Sequence, residues 1–445
     1  MSAFLDWTLA DVASATGGTV VGGASTTVVA VGTDSRNVEP GELFVAVRGD
    51  RYDGHDFVAA AISAGAAAAM LEVGRSPATP RVEVDDTLVA LRDLAVRRRG
   101  QIAAPVVAVT GSTGKTSTKD LLAGALPAAW ASPRSFNNEV GVPLTVLGTP
   151  LDAGHVVVEV GSRGAGNITW LMPAVRPDVA VITNLGVVHL ETFGTPEALA
   201  DAKWELVEGL GGDGVAVLPH DEPRLRRSHN GSTLTFGMGP GPDVAVEDLR
   251  LDPWGAPSFV LATPQGRLPV TLRLTGAHQA RNAAAAAAAA LACGVDPARI
   301  VRGLGEAVAA PWRMEIHRGA VTVVNDAYNA NPDSMAAALD TVAGLAGRHV
   351  AVLGRMAELG DVEAAEHRRI GAMAAQAGYA AVIVVGDDPG FADGAGRIAR
   401  SVPDQASALR VLAGFLREGD VVLVKASRAV GLEGLACELV KEHGS

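Results

Sequence analysis

Residues 106–118 read VVAVTGSTGKTST, and that order builds a phosphate cradle. The run Val106, Val107, Ala108 and Val109 predicts a buried parallel strand. It ends in Thr110, Gly111, Ser112, Thr113, Gly114, Lys115 and Thr116, after which a helical pattern begins. Glycines let backbone N–H groups approach an anion, the helix N-terminus adds partial positive charge, and lysine brings a mobile cation. The threonine hydroxyl can ligate the Mg²⁺ that accompanies a nucleotide. The general motif has glycine where this chain has Val109, so the loop is a tighter variant opened by Thr-Gly. A plain Gly/Ser turn at a sheet edge would not need strand, loop, Lys-Thr and helix in this order.

Three other residues could join that chemistry. Glu159 ends the apolar run VVVEV, where a carboxylate is costly unless paired. It reads either as a metal ligand facing the loop or as a solvated strand end. His189 follows another apolar strand and could reach the same space, although a lone histidine is more often structural. Lys203, in DAKWE, reads by itself as a surface lysine on a helix.

Positioning such residues requires a sheet, and the chain supplies several. At 445 residues, length predicts about three domains. A hydrophobic content of 48% is enough for several cores without disulfides or metals. Short strands over 26–31 and 43–47 alternate with an alanine-rich helix over 57–64 in the first region. From Pro105, apolar strands at 106–110, 155–160, 179–183 and 215–218 alternate with helices, as expected of a parallel sheet covered on both faces. Residues 234–274 are richer in Gly, Pro and short strands, and a long alanine helix follows over 276–292. Beyond Pro311 and Trp312 the alternation resumes. Strands are predicted at 321–324, 349–353, 382–385 and 421–424, with helices near 334–345, 364–377, 406–416 and 432–441. This last region reads as its own doubly wound domain. The predicted fold class is α/β with three domains: 1–85, 86–311 and 312–445.

Charge and cysteine usage exclude other classes. The formal net charge of −12 argues against a nucleic-acid groove. The one compact basic run, Arg97, Arg98 and Arg99 before Gly100, reads as a helix end where cations suit the dipole and glycine the cap. Cys293 and Cys437 stand far apart in apolar helical stretches, so buried free thiols are expected. The N-terminal segment lacks a basic region before an apolar core, and the alanine run 283–294 is too short to span a bilayer. A cytoplasmic protein without membrane insertion is expected.

Read together, these motifs resemble one family. TGSTGKT is similar to the phosphate loop of the Mur ligases, the ATP-dependent amide-bond-forming enzymes of peptidoglycan precursor synthesis. The segment 326–335, DAYNANPDSM, resembles the DxYNANPxSM pattern of the branch that adds D-alanyl-D-alanine to UDP-N-acetylmuramoyl-tripeptide. MAELG at 356–360 with His367, and KASR at 425–428, support it. TDSR at 33–36, PGELF at 40–44 and DGHDF at 53–57 resemble the UDP-sugar domain. The resemblance runs from about Thr33 to Arg428. It implies an N-terminal UDP-substrate domain, a central ATPase domain and a C-terminal Rossmann-like domain, acting as a monomer.

The resemblance also assigns roles. ATP phosphorylates a peptide carboxylate to an acyl phosphate, which the incoming amine then attacks, so charge must be neutralised on the transferring phosphoryl oxygens. Lys115 and the amides of residues 110–116 would hold the β- and γ-phosphates, with Thr116 and Glu159 on a first Mg²⁺. His189 and Lys203 match holders of a second Mg²⁺, the lysine as its N6-carboxy derivative, a carbamate. Arg313 matches an arginine that reaches the γ-phosphate, and Asn282 and Asp326 match adenine and ribose contacts. Asp34, Ser35 and Arg36 would line the UDP or sugar site. Asn137, Asn138, Arg163 and Asn167 would lie near the muramoyl peptide. Two departures stand out: Arg355 where the family often has aspartate, and Ala426 where it commonly has glycine. The sister branch that adds one amino acid is disfavoured, because its Asp-Tyr-Ala-His and Asp-Asn-Pro-Arg patterns are absent. A nucleotide-hydrolysing switch is a second alternative, but it leaves His189 and Lys203 unexplained.

Overall fold

A computed structural model describes residues 5–49, 51–186 and 193–443. Its frame is three sheets in chain order, of five, nine and six strands. The first runs in the order Thr19–Val21, Arg81–Val84, Ala68–Glu72, Glu42–Val45 and Ala30–Gly32. The single strand expected over 26–31 is broken. Thr27–Val28 pairs with Trp7–Thr8, whereas Ala30–Gly32 pairs with Glu42–Val45. Val29 makes the switch, accepting from Leu5 N and donating to Gly41 O. The predicted helix near 57–64 begins as a 3₁₀ turn at Gly54–Phe57, capped by Asp53, before Val58–Ser63 turns α-helical.

Helix Thr87–Arg99 joins this sheet to the next. Asp86 caps its start by accepting from Leu88 N and Val89 N. Its terminal arginines do more than suit a dipole. Arg97 pairs with Asp11 and covers the Trp7 ring. Buried Arg98 donates to Thr149 O at 2.6 Å, and Arg99 donates to Val175 O and Arg176 O. Carbonyls of Thr149, Val175 and Arg176 are thus held by cations at the end of this connecting helix. Gly100 keeps right-handed backbone, φ −64°, so no left-handed cap is made there.

The central sheet places Val106–Thr110 between Val179–Ile182 and His155–Glu159, all parallel. Every residue of Val106–Thr110 is buried, as its apolar run predicts. The short strands expected over 234–274 extend this sheet. Ser232–Met238, Val244–Leu251, Pro257–Thr263 and Gly266–Thr271 continue it outward, the last two pairings antiparallel. The alanine helix, His278–Ala292, lies buried between that sheet and the helix Lys115–Ala125. Methyl-sized side chains permit this close approach, and a larger residue there would overpack. Helix Pro297–Glu306 comes as close, since a Cβ on Gly303 would overlap the backbone of Gly124.

The third sheet has the order Glu315–His317, Thr322–Asn325, Asp420–Lys425, Arg348–Gly354, Ala381–Val385 and Ala399–Val402. Only its first pairing is antiparallel. The edge strand Ala399–Val402 and helix Pro389–Ala395 had no sequence signal. The strand carries Arg400 and Ser401, and two glycines interrupt the helix. One cysteine departs from expectation. Cys437 is exposed on helix Glu433–His443, while Cys293 is partly buried, its thiol pushed up to about 12 by desolvation. Among the described residues no helix is long and apolar enough to cross a membrane.

Candidate active site

Strand Val106–Thr110 delivers the loop to the carboxyl edge of the central sheet, where open α/β folds bind ligands. Gly111 has φ +142° and Gly114 φ +77°, both in the region that favours glycine. Asn184 and Thr183, at the end of the neighbouring strand, fasten the loop. Asn184 Oδ1 accepts from Thr113 N at 2.8 Å, and Ser112 N donates to Asn184 O. Thr183 Oγ1 donates to Thr113 O. A Cβ on Gly111 would overlap that hydroxyl, and one on Gly114 would come within 2.5 Å of Asn282 Oδ1. The helix Lys115–Ala125 starts at Gly114 without any side-chain cap. Its first amides are therefore available to an anion.

Lys115 Nζ folds back onto Gly111 O at 2.6 Å and Ser112 O at 3.1 Å. Desolvation holds its pKa below the usual value, the Glu159 carboxylate opposing and Arg313 adding to the shift. Thr116 Oγ1 donates to buried Glu159 Oε2 at 2.9 Å and accepts from Arg313 Nη2 at 2.9 Å. Glu159 Oε1 accepts from Asn137 Nδ2 at 2.7 Å. Glu159 is therefore a paired acid inside the site, not a solvated strand end. The hydroxyl and carboxylate oxygens form a hard donor pair of the kind Mg²⁺ takes from a protein, leaving other positions to water and phosphate. Among the described residues no cluster of three His, Cys, Asp or Glu is assembled for a metal.

Arg313 arrives from the far side of the domain boundary. Its neighbours Trp312 and Met314 both have positive φ, +62° and +50°, an uncommon state for large side chains. Met314 N donates to Asp326 Oδ1, and Tyr328 N donates to Trp312 O. These bonds fix the turn. The guanidinium then stacks on Tyr328, 4.0 Å from its ring centre, and reaches Thr116 and Ser135. Asp326 itself is engaged within the protein: its Oδ2 accepts from buried Lys425 Nζ at 2.5 Å. His278, from the alanine helix, faces the same pair. Desolvation lowers its pKa, Asp326 opposing and Lys425 adding.

Lys203 is not the surface lysine its pattern suggests. It is 1% exposed on helix Pro196–Glu208, with its ammonium 5.8 Å from the Phe193 ring centre. Burial drives its pKa well below normal, and nearby Lys115 adds to the shift while Glu205 opposes it. Glu205 also accepts from Gly166 N and Thr169 N, so the helix of Lys203 is tied to the start of helix Asn167–Val175. His189 lies outside the described residues.

The remaining sequence candidates make local contacts of their own. Asn138 Oδ1 accepts from Gly141 N, the first residue of helix Gly141–Leu147, and Asn167 Oδ1 accepts from Arg163 N. Asn282 Nδ2 donates to Gln279 Oε1. Asp34, Ser35 and Arg36 belong to the first sheet, after strand Ala30–Gly32, which packs against helix Gly141–Leu147. There the hydrogen bonds of exposed Arg36 hold Asp34 down to about 2. Sequence reasoning missed Ser135, Asn184, Glu205 and Tyr328. Glu205 and Tyr328 lie inside quoted motifs and the other two within a few residues of quoted positions, but nothing local shows which way each side chain points.

Comparisons with known proteins identify the family. Residues 27–99 match the Mur ligase family catalytic domain, 109–290 the Mur ligase middle domain, and 312–428 the Mur ligase glutamate ligase domain. The chain is 34% identical to the UDP-N-acetylmuramoyl-tripeptide–D-alanyl-D-alanine ligase of Bacillus subtilis, with 94% of each covered. It is 35% identical to the Escherichia coli enzyme of that name, over 95% of this chain and 96% of that one. MurF from Acinetobacter baumannii superposes with a TM-score of 0.90 at 32% identity, covering 99% of this chain and 100% of that one. MurF from Thermotoga maritima in complex with ADP gives 0.81 at 30% identity, covering 93% and 98%. The chain belongs to the Mur ligase family, in its MurF branch.

Proposed function

We propose that this chain is an ATP-dependent ligase joining D-alanyl-D-alanine to UDP-N-acetylmuramoyl-tripeptide, giving the UDP-pentapeptide, ADP and phosphate. The observation that carries it is the meeting of Glu159 and Arg313 on the Thr116 hydroxyl, next to the Lys115 ammonium folded over the loop, with Arg313 arriving from the C-terminal domain. Similarity to named ligases over nearly the whole chain supports the substrates. The net acidity, −12, speaks against nucleic acid. The setting proposed is a cytoplasmic monomer with three domains, 1–85, 86–311 and 312–445.

A carboxylate is a poor electrophile. In the proposed sequence, the tripeptide carboxylate oxygen bonds to the γ-phosphorus of ATP while the bond to the β-phosphate oxygen breaks and ADP leaves. The amine of D-alanyl-D-alanine then attacks the acyl carbon. The C–O bond to phosphate breaks, and the amine loses a proton. Lys115 leaves its two loop carbonyls to neutralise phosphate oxygens, and Arg313 leaves Thr116 to meet the γ-phosphate. The uncapped amides at Gly114 to Thr116 bind the same anion. Asn137 and Glu205 orient Glu159 and the loop after it. Asp34, Ser35, Arg36, Asn138, Arg163 and Asn167 would contact the UDP-muramoyl peptide, and Asn282 with Asp326 the nucleoside.

Thr116 and Glu159 fit one Mg²⁺, which when bound would supply charge neutralisation and water-held geometry at the phosphates. A second would be held by His189 and the Lys203 carbamate. Burial favours the neutral amine from which that derivative forms: the amine adds CO₂, an N–C bond forms, and one proton leaves. The product is an anion where an ammonium would repel a cation.

The test is ADP and phosphate release with UDP-muramoyl-tripeptide, crossed against D-alanyl-D-alanine and single amino acids. Turnover should require ATP, tripeptide and dipeptide together. The dipeptide's distal carboxylate lies one residue further from the reacting centre, and a site built for that distance loses orientation with a shorter acceptor. Comparable turnover with D-alanine, L-lysine or diaminopimelate on the shorter precursors would overturn the assignment.

A further inference from the structure

Three loops meet at the carboxyl edge of the six-stranded sheet. Residues 326–331 follow Thr322–Asn325, 426–428 follow Asp420–Lys425, and 355–360 follow Arg348–Gly354, and these strands are adjacent. That edge is where an open parallel sheet presents a ligand site. The loop 355–360 carries Glu358 with φ +66°. A non-glycine residue holds that state only where its surroundings over-determine it.

Two side chains contribute to holding this loop. Ala357 N donates to Ser427 Oγ at 2.9 Å, and the same hydroxyl donates to Ala330 O at 3.3 Å, so all three loops share it. Met356 N donates to His367 Nε2 at 2.9 Å. The His367 side chain is 2% exposed and lies 2.5 Å from Asp388 Oδ2 through Nδ1. It stacks on Phe391 with ring centres 4.3 Å apart. Because Nε2 accepts from an amide, the ring proton sits on Nδ1, where Asp388 accepts it. Asp388 thereby fixes both the tautomer and the ring plane.

We propose that His367, oriented by Asp388, is a positioning residue for the acceptor: it sets loop 355–360 so that the amine of D-alanyl-D-alanine meets the acyl carbon. This rests on the ligase reading above and adds a residue pair that never touches the reacting atoms. The carbonyl of a glutamine can also accept from Met356 N, whereas an alanine leaves that amide unpaired and the loop free to relax.

The experiment uses the full chain and measures KM for ATP, UDP-muramoyl-tripeptide and D-alanyl-D-alanine, kcat, and the thermal midpoint, for wild type, His367→Ala, His367→Gln and Asp388→Asn. His367→Ala should raise the dipeptide KM roughly tenfold or more while the ATP KM stays within about twofold. His367→Gln should recover most of that loss, and Asp388→Asn should show the same split more weakly. Should His367→Ala fail to fold, the split in Asp388→Asn decides in its place. An unchanged dipeptide KM, or an equal rise for all three substrates, overturns the inference while leaving the ligase reading intact. Wild type that releases no phosphate in response to the dipeptide removes both.

Discussion

At the residue scale, Lys203 shows how far composition and pattern can mislead. DAKWE on an amphipathic helix reads as solvated, yet burial comes from packing against Phe193 and the Glu205-anchored loop, which no local pattern encodes. Only the family resemblance gave the lysine a role. Lys115, Thr116 and Arg313 are different, because their chemistry is bound to their motifs. A buried ammonium of depressed pKa costs stability, and the sign is definite. Between its lowered folded value and the ordinary 10.5, the unfolded chain holds a proton that the folded chain lacks, so stability rises with pH across that window. Below the folded value both states are protonated and that contribution is gone. In carbon dioxide-free buffer, Lys203→Met should remove this slope. At pH 7 it should leave the unliganded protein as stable as wild type or up to about 2 kcal/mol more so. Ligase activity should still fall at least about 10²-fold, the scale of losing a preorganised charge contact. Urea titrations at several pH values, beside the ADP-release assay, test both halves. A variant of normal activity would exclude the lysine from the metal site.

At the element scale, the strands with continuous apolar runs were legible, because burial on both faces leaves a strong signal. Those expected at 106–110, 155–160 and 179–183 appear at Val106–Thr110, His155–Glu159 and Val179–Ile182. Elements set by pairing partners were not. The break at Val29 depends on Gly41 and Leu5, and the outward strands from 232 to 271 are recruited by the sheet edge. The arginine run likewise looked like helix-end chemistry, since Thr149 and Val175 are distant in sequence. The phosphate loop is the element whose geometry leaves least freedom. Gly111 has φ +142° and would drive a methyl into the Thr183 hydroxyl that fastens the loop. Gly111→Ala should therefore weaken ADP binding by roughly tenfold or more, the order of 1–2 kcal/mol for a forced left-handed residue. Titration calorimetry with ADP checks this, and unchanged affinity would show that the loop opens differently from the geometry described.

At the scale of the whole molecule, the site exists only because Arg313, just before the third sheet, reaches the loop of the central sheet. Central-sheet residues provide the phosphate cradle, and the third sheet sends Arg313 across, braced by Tyr328 and the Asp326–Lys425 pair. A nucleotide seated between them must stabilise the folded protein by mass action, about 2.7 kcal/mol at a hundredfold excess over Kd. The two domains should contribute unequally to that shift. Lys115 folds over the loop itself, so Lys115→Ala should lose most of the stabilisation by both ADP and a non-hydrolysable ATP analogue. Arg313 reaches Thr116 from outside the loop, and in the proposed reaction it meets the γ-phosphate. Arg313→Ala should therefore keep nearly all of the ADP shift and lose the additional shift that the ATP analogue gives wild type. Thermal denaturation of the three proteins with each nucleotide, at equal multiples of the wild-type Kd, measures the difference. Equal loss for both nucleotides in Arg313→Ala would mean that the arginine docks the domains together without reading the γ-phosphate. The cross-boundary contact with Thr116 would then be structural rather than a stage of phosphoryl transfer.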